Sequence, residues 1–200
     1  MPANGDFGAE INGHTGFPNI REIRLNARQS GTRRKVIYLS SVSLSHRKNP
    51  GMSMSELVHI DRSQRLAATL ARRPIDLVIK PHPMTFPTPG RHPLEAQGEV
   101  RYEPFESIMS KADVFVCDAI VKTAFWEAMC SDRLVVFIDL DSIGRNTALE
   151  PIFRRRCRVV AAHYDERNRP QVDAAELEAA VADGADREDS SAYRQLFLVE

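Results

Sequence analysis

The chain has 200 residues, of which 42% are hydrophobic and 27% are charged. This length suits one full-sized domain, and the composition is that of an ordinary globular protein with a sizeable core. The 27 basic residues balance the 27 acidic ones, which argues against a surface for nucleic acid or for an anionic membrane, where a basic excess is expected.

The three cysteines, Cys117, Cys130 and Cys157, are widely spaced and lie in apolar stretches. Without a CxxC pair they indicate no zinc site, and we expect buried free thiols in a reducing compartment. The longest clean apolar run, from Leu134 to Ile138, is far shorter than a membrane span. The first residues lack the basic and apolar regions of a signal peptide. We therefore expect a cytoplasmic protein with at most peripheral membrane association.

Residues 1–32 are rich in Gly, Asn and Pro and show no clear period, which predicts an irregular, hinge-like lead-in. From residue 33 onward short apolar runs alternate with helical patterns, so residues 33–200 are predicted to form one domain. The apolar runs predict strands at Lys35–Ser40, Ile75–Lys80, Glu99–Glu103, Asp113–Asp118, Leu134–Asp139 and Arg158–Ala162.

The segments between these runs predict helices. Asp61 is the candidate N-cap of the first helix, whose apolar positions are Leu66, Ala67 and Leu70. The other helices are predicted at Phe105–Lys111, at Lys122–Cys130, up to Arg154–Arg156, at Asp173–Ala182 and around Tyr193–Phe197. Asp173 has a glutamate three residues later, which is the spacing of a capping box.

Strands alternate with helices six times, and most of the strands are apolar throughout. This pattern is typical of a parallel sheet covered on both faces, so we predict a Rossmann-like α/β domain of about six strands. Right-handed crossovers put the loops that follow the strands at one edge, where such sheets bind ligands. The residues that follow each strand are therefore the candidates for a functional site.

The sharpest local feature is the corner Lys80-Pro-His-Pro83 at the end of the second strand. Its two prolines have a fixed φ, which reduces the entropy lost when Lys80 and His82 are aimed at a ligand. Both side chains can donate to phosphate oxygens, and His82 titrates near neutrality. The alternative is that His82 is a satisfied histidine in a tight turn.

A second candidate site follows the fourth strand. Asp118 ends that strand, and Lys122 and Thr123 open the next helix, whose free N–H groups and positive dipole end can receive a phosphate. Glu127 lies one turn further along, and its carboxylate can accept hydrogen bonds from two ribose hydroxyls. The alternative is a capped helix start followed by a surface charge.

Two weaker sequence patterns are more simply explained by a structural role than by a functional one. Asp139-Leu-Asp141 matches the Asp-x-Asp pattern that holds a metal in some sugar transferases, but these aspartates can simply cap the next element, so no metal site is predicted. The basic run Arg154–Arg156 falls at a predicted helix C-terminus, where cations are favourable. No GxGxxG, GxxxxGK[ST] or HExxH motif occurs, so a dinucleotide fingerprint, a P-loop and a zincin are unsupported.

Taken in order, these segments resemble the donor-binding half of GT-B glycosyltransferases. The landmarks are the strand ending in Lys80-Pro-His-Pro83, the strand ADVFVCD at 112–118 and the helix TAFWEAM at 123–129. They look most like those of bacterial surface-polysaccharide biosynthesis proteins, including CDP-glycerol glycerophosphotransferases and Kdo transferases of capsule assembly. The stretch EAMCSDRLVV at 127–136 is similar to the Glu-Ala-Met segment of many nucleotide-sugar transferases. The resemblance covers about residues 33–183.

This resemblance implies a role for each candidate residue. The residues it places at the donor phosphates are Lys80, His82, Asp118, Lys122 and Thr123. It places Glu127 at the nucleotide ribose and gives His82 a catalytic role, in which it stabilises the departing phosphate. The donor, a nucleotide-activated sugar or CDP-glycerol, is a substrate, and neither a cofactor nor a metal is expected.

The sequence departs from this family in two ways. Leu134 stands where many relatives have proline, and the acceptor-binding half is missing, since residues 1–32 are too short to supply it. We expect a donor-binding domain of a transferase in cell-surface polysaccharide biosynthesis. The alternative is a non-catalytic or partner-dependent half that needs a separate acceptor-domain chain. A third interpretation, a nucleotide-sugar epimerase, requires more carboxylates and a base in the cleft.

Overall fold

The structure is a computed structural model and describes residues 33–41, 55–82, 92–120, 122–140, 148, 150–182 and 190–197. The predicted lead-in at 1–32 lies outside these residues. The strands are β1 Arg34–Leu39, β2 Ile75–Lys80, β3 Glu99–Val100, β4 Val114–Cys117, β5 Leu134–Asp139, β6 Arg158–Tyr164 and β7 Pro170–Val172. The helices are α1 Glu56–Ala71, α2 Phe105–Met109, α3 Thr123–Cys130, α4 Glu150–Arg156, α5 Ala174–Ala182 and α6 Ser191–Phe197.

The strands form one seven-stranded sheet in the order β3-β2-β1-β4-β5-β6-β7. The first six strands are parallel, as predicted. The prediction of a wholly parallel sheet of about six strands is wrong in one respect, because β7 adds an antiparallel edge to β6. β7 has only three residues and begins with Pro170, so it carries no apolar run that the sequence pattern could reveal.

Two apolar cores lie on opposite faces of the sheet. One core contains Phe105 of α2, Phe125 of α3 and Tyr193 of α6. The other contains Leu66 of α1 and Leu177 of α5. Successive residues of β4 alternate between the two cores, which is why the central strands are apolar throughout rather than alternating with polar residues.

The first helix begins earlier than the sequence predicted. Its N-cap is Ser55, whose Oγ accepts a hydrogen bond from the Val58 N–H, and its first residue is Glu56. Asp61 therefore lies inside α1, where its carboxylate pairs with Arg65 at 2.7 Å. Ser55 satisfies a backbone N–H of the first turn, which is the role of an N-cap. Asp61 instead forms an ion pair with a side chain one helical turn away.

The C-terminal part of the chain agrees with its sequence pattern. The Asp173 carboxylate accepts a hydrogen bond from the Glu176 N–H at 2.8 Å, so the predicted cap of α5 is confirmed. The short last helix is also present, and the Tyr193 ring stacks on Trp126 of α3. These contacts hold the end of the described chain against the core.

All three cysteines are buried free thiols, as the apolar surroundings of each predicted. Burial raises the pKa of Cys130 to about 11 and that of Cys117 further still. Such thiols are not nucleophiles at neutral pH, because the thiolate is the reactive form. In the described part of the chain, no helix combines the length and the apolar character that crossing a membrane requires.

The strand order reverses between β1 and β4. The chain proceeds outward from β1 to β2 and β3, then crosses back to β4 and continues through β5 to the other edge. Such a reversal opens a crevice at the carboxyl ends of the two central strands, where sheets of this kind bind ligands. Leu39 pairs with Cys117 in register, so Ser40 and Ser41 lie beside Asp118.

Candidate functional site

A buried ion pair between Asp118 and Lys122 occupies this crevice. Lys122, the N-cap of α3, donates from Nζ to Asp118 Oδ1 at 3.0 Å and to the Leu39 carbonyl at 2.8 Å. The Tyr38 hydroxyl donates to Asp118 Oδ2 at 2.8 Å, and the Ser41 N–H donates to the same oxygen at 3.3 Å. The Asp118 side chain is 0% exposed and that of Lys122 is 10% exposed. This network joins the ends of β1 and β4.

The network holds Asp118 as a carboxylate. Burial acts to raise its pKa, but the charges of Lys122 and Arg62 and the hydrogen bond from Tyr38 outweigh burial, so the pKa lies well below its usual range. Burial and the charge of Asp118 raise the pKa of Tyr38 far above its usual value, which keeps the phenol protonated. An ammonium group has three donors. Since Lys122 uses two on described residues, one is left for a ligand.

Lys80 and His82 lie next to this pair. Lys80 pairs with Leu39 in the sheet, is 6% exposed and donates from Nζ to the Pro81 carbonyl at 3.0 Å. Burial lowers the pKa of Lys80. Burial also lowers the pKa of His82, and the charges of Lys122 and Lys80 lower it further. Three basic side chains therefore act on one another at this edge, and an anion placed among them would be stabilised by all three.

Glu127 lies on the opposite face of α3 from solvent. It is 5% exposed, so the alternative that it is a surface charge is wrong. Its Oε2 has no hydrogen-bond partner among the described residues. Burial raises the pKa of its carboxyl to about 7, with a smaller contribution from Glu106 of α2. A buried carboxyl with an unused oxygen is a ready acceptor for a ligand hydroxyl.

Thr123 is the first residue of α3 and is exposed at the same edge. The helix has no side-chain cap hydrogen bond at its N-cap residue. The Phe125 N–H donates to the Lys122 carbonyl at 3.1 Å, and the positive end of the helix attracts an incoming anion. The structure thus brings the six predicted site residues to the carboxyl end of the sheet and the first turns of α3.

We expect Glu127→Gln to stabilise the protein at alkaline pH. The folded pKa of Glu127 is raised to about 7 from its ordinary 4.5, so the wild-type chain loses stability as the pH rises from about 5 to 8 and the buried carboxyl ionises. At pH 8 the free energy of unfolding of the variant should exceed that of the wild type by about 1 kcal/mol, allowing for partial solvent screening.

Urea unfolding at pH 5 and pH 8 measures this difference. At pH 5 both side chains are neutral, so the two midpoints should nearly coincide. A matched control is Glu150→Gln on α4, since that carboxylate is ion-paired with Arg154 at 2.7 Å, and it should show no gain at pH 8. A gain of equal size at both pH values would contradict the assignment.

Neither Tyr38 nor Arg62 was among the predicted site residues. Arg62 is 3% exposed and lies on the buried face of α1 with Ser63, Leu66 and Leu70. A signal was present: spacings of four residues place Arg62 on the apolar stripe once the helix is extended back to its true start. Tyr38 stands out only in space, because it is a tyrosine inside an otherwise apolar strand.

The Asp-x-Asp pattern lies only partly within the described residues. Asp139 ends β5, whereas Asp141 lies outside the described residues. Within the ranges that the structure describes, no three His, Cys, Asp or Glu side chains group closely enough to hold a metal ion.

Chemically, the carboxyl edge of the sheet offers positive groups for an anion, and α3 carries a buried carboxyl that can accept a hydroxyl. Lys80, His82 and Lys122 supply the first, and Glu127 supplies the second. Comparison with known proteins adds no family to this geometry, since no protein-family model matches the chain and no curated protein matches its sequence significantly.

Proposed function

We propose that this chain is the donor-binding half of a GT-B glycosyltransferase, or of a glycerophosphotransferase, in cell-surface polysaccharide biosynthesis. The single observation behind this proposal is the convergence of Lys80, His82 and Lys122 at the point where the strand order reverses. Doubly wound sheets bind nucleotides there. The order of the motifs along the sequence supports the narrower assignment to GT-B enzymes.

The basic side chains suit the phosphates of an activated donor. Lys122 keeps one donor for a ligand, and the uncapped start of α3 adds backbone N–H groups. When the donor's glycosyl–oxygen bond breaks, negative charge develops on the departing nucleotide phosphate, and these fixed donors would stabilise it. His82, whose pKa is lowered in the empty site, would gain a proton as the phosphate approaches, because an anion favours the charged imidazolium.

The carboxyl of Glu127 suits the ribose of the same donor. Its unpartnered Oε2 would accept a hydroxyl hydrogen. Such a bond favours the ionised carboxylate, so ligand binding should lower the pKa of Glu127 from about 7. The part of the nucleotide affinity that depends on Glu127 should therefore fall as the pH drops below 7, whereas proton uptake by His82 favours binding at lower pH.

We expect the protein to bind CDP, UDP or CMP, and we expect His82→Ala and Glu127→Ala each to weaken binding by about tenfold, the loss of one good charged hydrogen bond. Isothermal calorimetry with each nucleotide at pH 7.5 measures both effects. Arg154→Gln on α4 is the control, because that exposed side chain pairs with Glu150 and takes no part in the site. Absence of nucleotide binding at millimolar ligand would rule the proposal out.

A partner-dependent half is the second candidate. Of the large apolar side chains that the structure describes, three are exposed: Leu57 at 79%, Tyr102 at 48% and Tyr164 at 45%. Leu57 opens the helix after β1, Tyr102 follows β3 and Tyr164 ends β6, so all three lie toward the carboxyl edge of the parallel strands. Exposed apolar groups on a ligand-binding edge favour a covering partner, here a separate acceptor-binding chain. Gel filtration with and without such a chain distinguishes the two candidates.

A further inference from the structure

Tyr38 lies in a chain of buried polar groups that runs from α1 to α3. Its oxygen is 3.1 Å from Ser63 Oγ on α1 and 2.8 Å from Asp118 Oδ2, directly after β4. Tyr38 and Ser63 are both 0% exposed. Lys122 completes the chain, because its Nζ lies 3.0 Å from the other oxygen of Asp118. The chain therefore links α1, β1, the end of β4 and the start of α3.

Every hydrogen bond between these side chains has a fixed direction. An ionised carboxylate can only accept, and a phenol has a single hydrogen. Because Asp118 is a carboxylate despite its burial, the hydrogen of Tyr38 goes to Asp118. The Ser63 hydroxyl then donates to the Tyr38 oxygen, 3.1 Å away. The chain has one arrangement of its hydrogens, so Tyr38 is held at both ends of its hydroxyl group.

Asp118 is stabilised by more than Lys122. Its Oδ2 accepts from Tyr38 and from the Ser41 N–H, and the charge of Arg62, a buried residue of α1, also acts on the carboxylate. Lys122 binds the other oxygen, Oδ1. Lys122 can therefore share its charge with a ligand without leaving Asp118 as an unpaired buried ion, which would be strongly destabilising.

The ammonium of Lys122 is fixed by two strands. One N–H donates to Asp118, directly after β4, and another donates to the Leu39 carbonyl, the end of β1, at 2.8 Å. The strand order reverses between these two strands. Because the ammonium nitrogen is tetrahedral, two fixed N–H bonds also fix the direction of the third. A shift of Asp118 would turn the ammonium, and Tyr38 opposes such a shift by binding the second carboxylate oxygen.

We propose that Tyr38 is a positioning residue of the donor site, which acts through Asp118 to aim the third N–H of Lys122 at the phosphate of a bound nucleotide. Ser63 supports it by fixing the phenol from α1. This inference rests on the proposed function, since the ligand is the nucleotide donor named there. Neither hydroxyl has to touch that ligand, because both belong to fully buried side chains.

Tyr38→Phe tests the proposal, because it removes the hydroxyl and keeps the ring in the core. The first readout needs no ligand: it is the proton–nitrogen NMR signal of the Lys122 ammonium, assigned by its loss in Lys122→Met. Hydrogen bonds slow the exchange of this group with water, so the signal should broaden or shift in Tyr38→Phe. The second readout is calorimetry with CDP, UDP and CMP, in which the variant should bind about fivefold more weakly than the wild type.

Tyr193→Phe is the matched control, because it also removes the hydroxyl of a buried tyrosine, on α6 in the other core. It should keep the wild-type ammonium signal and the wild-type nucleotide affinity, which separates positioning from the general loss of a buried hydroxyl. If Tyr38→Phe does not fold, Ser63→Ala takes its place and should change the same signal to a smaller extent.

An unchanged Lys122 signal in Tyr38→Phe, or wild-type nucleotide affinity in that variant, would overturn the inference. Failure of the proposed function looks different, because the wild type itself would then bind no nucleotide. In that case the ammonium signal would still decide whether Tyr38 positions Lys122.

Discussion

Replacing Arg156 with methionine should lower the free energy of unfolding by about 4 kcal/mol, the largest effect that we expect from one substitution. Arg156 is 1% exposed at the end of α4. Its Nε donates to the Met129 carbonyl at 2.7 Å, and its Nη2 donates to the carbonyls of Ala128 at 2.9 Å and Ser131 at 2.6 Å. These carbonyls lie at the C-terminus of α3, where helices leave acceptors unsatisfied. Methionine fills the space but offers no donor.

Urea or thermal unfolding measures this loss, which should lower the melting temperature by roughly 8–16 °C in a chain of this size. Arg154→Met is the matched control, because Arg154 lies two residues earlier, is 57% exposed and forms a surface ion pair with Glu150. It should cost about 0.5 kcal/mol at most. Arg156→Lys should fall between the two, since lysine keeps the charge but not the planar fork. Equal losses in the two methionine variants would contradict this role of Arg156.

Replacing Lys122 with methionine should lower the free energy of unfolding by about 3 kcal/mol at pH 7, because it leaves Asp118 as a buried charge without its cation. The pKa of Asp118 is lower in the folded than in the unfolded chain. The stability that ionised Asp118 contributes is therefore present above the unfolded pKa and is lost as the pH falls below about 4. The difference in the free energy of unfolding between wild type and Lys122→Met should accordingly become smaller in acid. Nucleotide binding should also be lost.

A double-mutant cycle with Asp118→Leu separates the pair from its surroundings. Removing both charges should cost less than the sum of the single losses, because no ion is left unpaired in the core. Denaturant unfolding of the four proteins at pH 7 gives the coupling energy, which should be at least about 1 kcal/mol. Additive losses would show that the 3.0 Å contact between Lys122 and Asp118 contributes nothing specific to stability.

The residues of the candidate site that lie at strand ends could be predicted from the sequence. Lys80 and Asp118 stand at the last position or just after an apolar run, and parallel strands bring such positions to one edge. Lys122 and Glu127 follow in the next helix at spacings that a helical pattern predicts. The sequence therefore indicated the identity and the position of these residues, but it did not indicate their burial or their hydrogen-bond partners.

Other parts of the site depend on contacts between distant segments. The Tyr38 hydroxyl meets Asp118 across 80 residues of chain, and the Arg156 guanidinium reaches Ala128 across 28. No local pattern records these distances. Burial of Glu127 is of the same kind, because α3 by itself would leave a glutamate at that position free to face solvent.

The sequence by itself determined most of the segments that become strands and helices, and it indicated a mainly parallel α/β sheet with free buried thiols. Local periodicity carries that information, because each segment's pattern of apolar residues records which of its faces is buried. Only the tertiary structure decided the strand order, the antiparallel β7 and the buried partners of Asp118 and Arg156. Those depend on which segments become neighbours, and pairing between distant parts of the chain is settled by the packing of the whole sheet rather than by any one segment.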